Sequence, residues 1–278
     1  MYLISIRLAL ILKMSLRNIC DVRQELFFKE LLMNTDDERK HSSRLWELLV
    51  QELAAHERKG VFALLQKSMA YNSNHIEGST LTSEQTASLF DTGVYRSDDV
   101  YVPKDVEEAQ GHFMMFNTCI KTLDEPLSPK LIKQFHFQLK SGVFYDRANG
   151  YPVGEFKNRM NIVSDILTSR PDSVAADVDD LLERYSPGSE HSLADIAAFH
   201  AAFEKIHPFQ DGNGRVGRMI VFRECLRSGV FPVIIFDKSR YDYYSALHRA
   251  QTEGNISPLV ALFERDRERT FDLVKDFL

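Results

Sequence analysis

The length, composition and charge of the chain are those of an ordinary globular protein, and they exclude several other classes. Its 278 residues are enough for one large domain or two modest ones, and 44% of them are apolar, so a hydrophobic core can form. The formal net charge of −6 arises from 40 acidic and 34 basic residues, a balance that argues against a polybasic surface for nucleic acid. Any site for a polyphosphate must therefore be local.

The cysteines and the first residues indicate the compartment. Cys20, Cys119 and Cys225 lie far apart and form no CxxC pair, so we expect neither a disulfide framework nor a zinc cluster. A reducing, cytoplasmic environment fits this pattern. The opening segment MYLISIRLALILK is interrupted by Arg7, is too short to span a bilayer and is followed by no small-residue cleavage site. We expect no membrane association, and interpret the segment as a first core helix or as an extension upstream of a start at Met14.

Helical periodicity dominates the first half of the chain. An apolar stripe over residues 45–53 resumes over residues 61–69 and continues into the segment SNHIEG. Thr82 begins the next helix with a capping box, because a glutamine follows three residues later. Pro103 and Pro129 stand at the first positions of two further apolar stripes, as is common for proline. We therefore predict a series of helices up to the middle of the chain.

The composition changes between residues 141 and 168, where turn residues are frequent. The piece FKNRMNIV within this stretch alternates as a strand does, so we predict a single β-hairpin there. Helical periodicity then resumes. Ser192, with Asp195 three residues later, opens a helix with a capping box, and that helix must end at His207 because Pro208 follows. Together the patterns predict an all-α fold with one β-hairpin.

The loop HPFQDGNGRVGR, between two predicted helices, has the features of an anion-binding site. Gly212 and Gly214 permit a tight turn, and the helix after them presents unpaired N–H groups and the positive end of its dipole. Arg215 and Arg218 are three residues apart on that helix, so they share a face and could both reach a polyphosphate held at its N-terminus.

The same loop also carries a metal ligand and a base. Asp211 offers oxygen atoms suited to a magnesium ion that also binds phosphate, and His207 is the nearby side chain that accepts a proton near neutral pH. Each residue has an ordinary alternative, since such a histidine or aspartate is often a helix cap and surface arginines are usually solvated. The combination within twelve residues favours a functional site.

The string GNGRVG also matches the G-x-G-x-x-G fingerprint of dinucleotide-binding folds, with Asp237 at about the expected spacing. That fingerprint requires a buried strand before the first glycine, whereas the helical pattern LADIAAFHAAFEKI precedes it here. No Lys-Ser or Lys-Thr follows the glycines, which excludes a Walker loop. A nicotinamide-dependent oxidoreductase remains a distant alternative.

The string HPFQDGNGRVGR resembles the Fic family's motif HPFx(D/E)GNGRxxR at every specified position. Segments on both sides of it are also similar to Fic segments, so the resemblance covers the chain from about Val102 onward. It implies a Fic-type helical bundle with one β-hairpin flap, in which residues 1–100 form an N-terminal helical region and residues 101–278 the Fic core domain. It also implies transfer of AMP from ATP to a Ser, Thr or Tyr hydroxyl of a protein, the chain itself included.

The resemblance assigns a role to each residue of the loop. His207 would deprotonate the attacking hydroxyl, and Asp211 would hold Mg²⁺ on the phosphates of ATP. Asn213 and the glycine amides would line the anion hole, with Arg215 on the phosphates and Arg218 on the γ-phosphate. The full set of implied nucleotide-binding residues is Asp211, Gly212, Asn213, Gly214, Arg215, Val216, Gly217, Arg218, Asn161, Ile162, Val163, Tyr244 and Gln251.

Two of these groups are less closely matched to the family pattern. The flap would offer an open strand edge to the backbone of the target, but Lys157 stands where an arginine is common, and Ser164 and Asp165 replace common glycines. Tyr244 and Gln251 would border the adenine, with ordinary core and rim positions as the alternative.

The segment SNHIEG resembles the inhibitory motif (S/T)xxxE(G/N), placed N-terminal to the Fic core as in the subclass whose inhibitory helix lies on the same chain. The resemblance implies that Glu77 and Ser73 restrain the site, with Glu77 paired to Arg218 where the γ-phosphate needs the same guanidinium. The alternative is an ordinary helix end with Glu77 in solvent and Gly78 after the cap.

Several functional alternatives stay open at this point. The same site could reverse the reaction when Glu77 orients a water, and Fic relatives are known to move UMP, phosphocholine or phosphate instead of AMP. A non-enzymatic scaffold is disfavoured by the intact His207. The sequence leaves the target protein open, and also the oligomeric state, a homodimer included.

Overall fold

The computed structural model of the protein describes residues 36–93, 100–163 and 165–278. The opening segment, Cys20 and Ser164 lie outside these ranges, so the interpretations given for them above concern residues that the structure does not describe. Within the described ranges, none of the helices has both the length and the apolar character that a membrane span requires.

Helices hold most of the described residues and the strands among them form one short hairpin, which confirms the predicted all-α class with one hairpin. The described part of the first helix, α1, covers residues 36–54. The later helices are α2 (Val61–Ile76), α3 (Ser83–Thr92), α4 (Pro103–Lys121), α5 (Pro129–Lys140), α6 (Phe144–Ala148), α7 (Val174–Tyr185), α8 (Leu193–Ile206), α9 (Asn213–Arg227), α10 (Arg240–Glu253) and α11 (Ser257–Val274). Short 3₁₀ turns occupy Asp237–Ser239 and Lys275–Phe277.

The helix starts follow the capping signals in the sequence. The capping boxes at Thr82 and Ser192 are both complete, because each cap side chain accepts from a backbone N–H and each third residue bonds back. Proline occupies the first turn of α4 and of α5. Helix α8 ends before His207, as the rule for residues that precede proline predicts. His207 adopts φ +53°, a left-handed conformation in place of the extended one that this rule favours.

The hairpin is shorter than the alternating pattern suggests. Strands β1 (Ile162–Val163) and β2 (Ile166–Leu167) are antiparallel, with Val163 opposite Ile166. Only the last two residues of FKNRMNIV are therefore in a strand. The earlier ones do not pair because the polar side chains of Lys157 and Asn161 bond to the neighbouring loop instead.

Helix α9 lies at the centre of the bundle, and the predicted anion-binding loop lies at its N-terminus. Of its 15 residues 13 are buried, as expected for a helix surrounded on all sides. Phe116 of α4 packs against Phe62 of α2 and Phe222 of α9, with ring centroids 5.5 and 5.6 Å apart. Side chains from before and after residue 100 therefore share one core, and the division into 1–100 and 101–278 stays a prediction.

Candidate active site

The α8–α9 loop, residues 207–212, turns the chain sharply between two packed helices. Gly212, at φ +85°, caps α9, and the amide of Val216 donates the first bond of that helix, to the Gly212 carbonyl at 3.1 Å. The N–H groups of residues 213–215 come before this bond and lie at the positive end of the helix dipole. This arrangement has the geometry that the predicted anion cradle requires, and the binding of an anion to it stays a prediction.

Asn213 closes the loop instead of facing a ligand with its side chain. Its Oδ1 accepts from the Phe209 amide at 2.7 Å and its Nδ2 donates to the Phe209 carbonyl at 2.9 Å. The Gly212 amide donates to the Asp211 carboxylate at 2.7 Å. The Asn213 side chain and the Gly212 amide thus have partners within the loop, and their contribution to an anion hole stays a prediction.

His207 is held as a neutral imidazole with one nitrogen available. Its Nδ1 lies 3.3 Å from the Glu204 carbonyl oxygen, which can only accept, so Nδ1 carries the proton and Nε2 keeps its lone pair. Burial lowers the pKa of His207 to about 4, against the bond to the Glu204 carbonyl and with help from the positive charge of Lys157. At neutral pH the ring is therefore a proton acceptor.

Asp211 is ionised in a strongly positive setting. Its Oδ2 accepts from Lys140 Nζ at 2.8 Å, while Lys104 Nζ lies 3.7 Å away and Arg215 Nη2 lies 3.4 Å from Oδ1. Burial acts to raise the pKa of Asp211, but the charges of Arg215 and Lys140 outweigh it and hold that pKa well below its usual range.

Arg215 belongs to a buried ion cluster behind the cradle. Its guanidinium is 3% exposed and meets the Glu108 carboxylate at 2.5 Å and Asn74 Oδ1 at 3.4 Å. Its side chain therefore pairs with Glu108 and also contacts the Asp211 carboxylate. The binding of phosphates by Arg215 stays a prediction.

Sequence reasoning missed three members of this cluster. Lys140 bonds Glu108 at 2.6 Å and Asp146 at 2.8 Å, in addition to Asp211. A signal was available, because Glu108 interrupts the apolar stripe of α4 and Lys140 follows directly on Leu139 at the end of α5. Charges at buried positions of an amphipathic helix indicate partners elsewhere in the fold.

Arg218 is the cation that faces the cradle, and α2 holds it there. Its Nη2 lies 2.7 Å from Glu77 Oε1 and donates to the Ser73 carbonyl at 2.9 Å, and its Nε donates to Ser73 Oγ at 3.0 Å. The predicted pair of Glu77 and Arg218 is thus present. Glu77 also caps the C-terminus of α2, and Gly78 adopts φ +95° after it. The helix end that was the alternative interpretation is therefore present as well, and it does not prevent the contact between Glu77 and Arg218.

The Glu77 carboxylate lies directly over the first turn of α9. A Cβ atom built on Gly214 would lie 2.2 Å from Glu77 Oε1 and 2.8 Å from Arg218 Nη1. The glycine is therefore needed for this close approach. A carboxylate at this point occupies the position that the helix N-terminus would offer to a ligand anion.

Val216 and Gly217 contribute to the packing of α9 against its neighbours. Val216 is fully buried in the main core. A Cβ atom on Gly217 would lie 2.4 Å from Glu204 Oε1 and 3.0 Å from the His200 ring, so the absence of a side chain lets α8 and α9 approach. If these two residues contact a nucleotide as predicted, they can do so only through backbone atoms.

The flap residues lie beside the loop. Asn161 Nδ2 donates to the Phe209 carbonyl at 3.0 Å, so its side chain joins the flap to the loop. Val163 is 38% exposed, and the side chain of Ile162 lies outside the described parts of the chain. Their contacts to a nucleotide stay predictions.

The two residues predicted near the adenine have different surroundings. The hydroxyl of Tyr244 donates to the Ile76 carbonyl at 3.2 Å, next to Glu77, which brings Tyr244 to the edge of the site. Gln251 Nε2 donates to the Ala201 carbonyl at 3.3 Å and so joins α10 to α8. The adenine-binding role of both residues stays a prediction.

Asp211 fits Mg²⁺ only as part of a metal–nucleotide complex. Among the described residues no three His, Cys, Asp or Glu side chains converge on one point. One carboxylate with phosphate oxygens and water is a usual set of Mg²⁺ ligands. Lys140 and Lys104 beside Asp211 would repel a free cation, whereas the charge of a triphosphate would compensate for them.

Comparison with solved structures supports this fold. A Fic domain containing signaling protein from Bacteroides thetaiotaomicron is 23% identical, with a TM-score of 0.67 over 86% of this chain and 97% of that one. Fic-1 from C. elegans is 22% identical, with a TM-score of 0.63 over 89% of this chain and 76% of that one. At these identities the likeness concerns the fold alone.

Comparison of sequences supports the family. Residues 126–224 match the model of the Fic/DOC family. A protein adenylyltransferase Fic from Nematostella vectensis is 28% identical over 73% of this chain and 47% of its own length. One from Drosophila melanogaster is 30% identical over 79% of this chain and 45% of its own length. The chain thus spans less than half of either relative. By its loop, its fold and these matches, the chain contains a Fic/DOC domain, matched over residues 126–224.

Proposed function

We propose that the chain transfers AMP from ATP to a Ser, Thr or Tyr hydroxyl of a protein. The observation that carries the proposal is the position of His207, a neutral base with an unprotonated Nε2, in the loop that ends at the anion cradle of α9. The names of the two relatives, protein adenylyltransferases, support the same reaction. ATP and a protein bearing a hydroxyl group are then the two substrates.

The chemical step needs a base and a site for negative charge. The hydroxyl oxygen attacks the α-phosphorus, its proton passes to His207 Nε2, and the bond to the pyrophosphate oxygen breaks, so that a phosphodiester and pyrophosphate result. The amides of residues 213–215 and the guanidinium of Arg218 stabilise the charge that develops on the phosphates. Most of the rate enhancement then comes from positioning and charge stabilisation.

Asp211 is the residue that would hold Mg²⁺, and a bound Mg²⁺ would neutralise phosphate charge. The loop itself prepares Asp211 for this role, because the Gly212 amide and Lys140 fix the orientation of its carboxylate.

Glu77 supplies the regulation in this proposal. Its carboxylate pairs with Arg218 over Gly214, where the γ-phosphate of ATP would need the same guanidinium. ATP can then bind with its α-phosphate out of line with the attacking hydroxyl, and productive binding is a minor state.

Other predictions of the sequence remain alternatives to this proposal. Transfer of UMP, phosphate or phosphocholine would use the same base and cradle, and removal of AMP would use the same site with a water. Modification of the chain itself, a homodimer and a cytoplasmic location also stay predictions.

The transferred group can be identified with labelled nucleotides. The Glu77→Gly protein is incubated with cell lysate and one of α-labelled ATP, γ-labelled ATP or α-labelled UTP, with the Glu77→Gly/His207→Ala protein as control. Kinases of the lysate incorporate the γ-phosphate of ATP in every reaction, so only labelling in excess of the control counts. The proposal predicts such an excess from α-labelled ATP alone. An excess from γ-labelled ATP would indicate phosphate transfer and a stronger excess from UTP would indicate UMP transfer, and either result would overturn the proposal.

A further inference from the structure

Lys157, between α6 and the flap, is buried without a carboxylate partner. Its side chain is 2% exposed, and its Nζ donates to Asn161 Oδ1 at 2.7 Å, to Thr168 Oγ1 at 2.9 Å and to the Ile206 carbonyl at 3.4 Å. In the described parts of the chain no acidic side chain forms an ion pair with it, whereas the equally buried Lys140 contacts three carboxylates. A buried cation whose hydrogen-bond partners are all neutral is costly. Burial accordingly lowers the pKa of Lys157 to about 8, and the charge of Asp177 acts in the opposite direction.

The acceptors of Lys157 join the flap to the α8–α9 loop. Asn161 directly precedes β1 and Thr168 directly follows β2, so the ammonium group bonds both ends of the hairpin. The backbone continues the connection, because the Lys157 amide donates to the Pro208 carbonyl at 2.8 Å and the Ser169 amide donates to the Ile206 carbonyl at 3.2 Å.

The positive charge of Lys157 also lies next to His207. It contacts the carbonyl of Ile206, the residue directly before His207. The other groups that act on the imidazole come from three directions, namely the Glu204 carbonyl of α8, the Glu77 carboxylate of α2 and Asp211 of the loop, and all of them favour protonation. Burial and Lys157 act against protonation.

We propose that Lys157 is a positioning residue, which anchors the flap to the α8–α9 loop and keeps His207 unprotonated by holding a positive charge beside it. The inference rests on the proposed function, in which His207 is the base and the flap positions the target. It adds Lys157 as a residue that acts on His207 and on the flap. A merely structural lysine would affect the stability of the protein but not the protonation of His207.

The test compares the parent with Lys157→Met, which is neutral, and Lys157→Arg, which keeps the charge. Lys133→Met is the matched control, since Lys133 bonds Glu155 two residues before Lys157 and lies over Phe156. NMR of isotope-labelled histidine follows the titration of the His207 ring, which is assigned among the nine histidines by its loss in His207→Gln. Amide hydrogen exchange of Ser169 reports on the attachment of the flap.

In the parent the midpoint of His207 is expected at about 4. In Lys157→Met the midpoint should rise above the parental value but stay below 6.5, the usual value for histidine, because burial remains, and the Ser169 amide should exchange faster. Lys157→Arg and Lys133→Met should keep both parental values. Lys157→Gln, which is neutral but still donates a hydrogen bond, replaces Lys157→Met if the latter does not fold.

Failure of this inference and failure of the proposed function give different results. The NMR titration needs no transferase activity, so an unchanged His207 midpoint in a folded Lys157→Met or Lys157→Gln protein overturns the inference even if AMP transfer is found. A raised midpoint in a protein that labels no target supports the inference and contradicts the function. If the midpoint is raised and AMP transfer is also found, the transfer rate of Lys157→Met in the Glu77→Gly background gives a further check. Relative to Glu77→Gly, that rate should fall more at about pH 5.5 than at about pH 7.5, because a larger fraction of His207 is protonated at the lower pH.

Discussion

Glu204 carries a buried carboxyl group beneath the first turns of α9. Its Oε1 has no hydrogen-bond partner within the described ranges and lies against Gly217. Burial raises the pKa of Glu204 to about 8, against the charge of Arg218 and with help from Glu77. At neutral pH the group is therefore mainly protonated, and a neutral carboxyl does not compete with Glu77 for Arg218.

This carboxyl group should make stability depend on pH. Because the folded-state pKa lies above the unfolded value of 4.5, folding takes up a proton in the window from 4.5 to about 8, and the free energy of unfolding falls as pH rises through it. Glu204→Gln removes this contribution. Between about pH 5 and about pH 8 the variant should therefore lose less stability than the parent, by up to a few kcal/mol for a pKa shift of this size.

Urea denaturation of both proteins at the two pH values checks this prediction. Glu183→Gln, at an exposed position of α7, is the control and should keep the parental pH dependence. If Glu204→Gln also keeps it, the buried carboxyl group does not titrate in this window.

At the scale of single residues, the sequence could predict part of the site only. The loop motif indicated that His207 and Asp211 would lie in the turn before α9, with Arg218 on that helix, because these positions are close in the sequence. It could not indicate that the Arg215 guanidinium points to Glu108. Helix α9 is buried on nearly all sides, so periodicity does not distinguish its faces, and the partner comes from another helix more than a hundred residues earlier.

At the scale of an element, α2 acts as the clamp on Arg218. Ser73 and Glu77 are four residues apart, so they lie on one face of the helix and both bond the guanidinium. The Ser73 backbone carbonyl adds a third bond. Release of the arginine therefore requires the end of α2 to move as a unit.

Ser73→Ala should weaken this clamp without removing it. The variant loses the hydroxyl bond to Arg218 and keeps the bonds from the Ser73 carbonyl and Glu77. Loss of one hydrogen bond to a charged group should raise AMP transfer by roughly 5- to 10-fold, less than Glu77→Gly does. Initial rates of label incorporation from α-labelled ATP measure the effect.

The control for this prediction is Ser68→Ala, which removes a hydroxyl five residues earlier on the same helix, where it faces Asn72. It should leave the rate of transfer at the parental value. A rate for Ser73→Ala that equals the rate for Ser68→Ala would contradict the clamp.

Elements could be predicted from the sequence where local signals decide them. The starts of α3 and α8 follow their capping boxes and the end of α8 follows Pro208, because these bonds involve residues at most four apart. The hairpin was predicted with longer strands than it has. Its length depends on Lys157 and Asn161, whose partners lie in a loop about 50 residues later, and alternation cannot report such contacts.

At the scale of the whole molecule, one core connects the helix that carries Glu77 with the helix that carries Arg218. Phe116 is fully buried between Phe62 of α2 and Phe222 of α9. Phe116→Ala should lower the free energy of unfolding by about 3–5 kcal/mol, because a large cavity would remain. Unfolding should still be one transition, since the core is shared.

Two probes test this in a single urea titration. The fluorescence of Trp46, the single tryptophan of the chain, reports on α1, and circular dichroism reports on all helices. Phe144→Ala is the control, because Phe144 is 67% exposed and its loss should change stability by less than about 0.5 kcal/mol. Separate midpoints for the two probes in the parent would show that the N-terminal helices fold apart from the rest.

The central claim is that His207, the cradle of α9 and Glu77 form one site, in which Glu77 restrains AMP transfer. Incorporation of AMP from α-labelled ATP by the parent, Glu77→Gly, Arg218→Ala and Glu77→Gly/His207→Ala proteins, each shown to be folded, tests it most directly. Glu77→Gly should label roughly 5- to 150-fold more protein than the parent, the usual range for such coupling. Arg218→Ala should not be activated, because it loses the phosphate ligand with the clamp, and the double variant should label nothing. Equal labelling by Glu77→Gly and the parent, or persistent labelling by the double variant, would contradict the account.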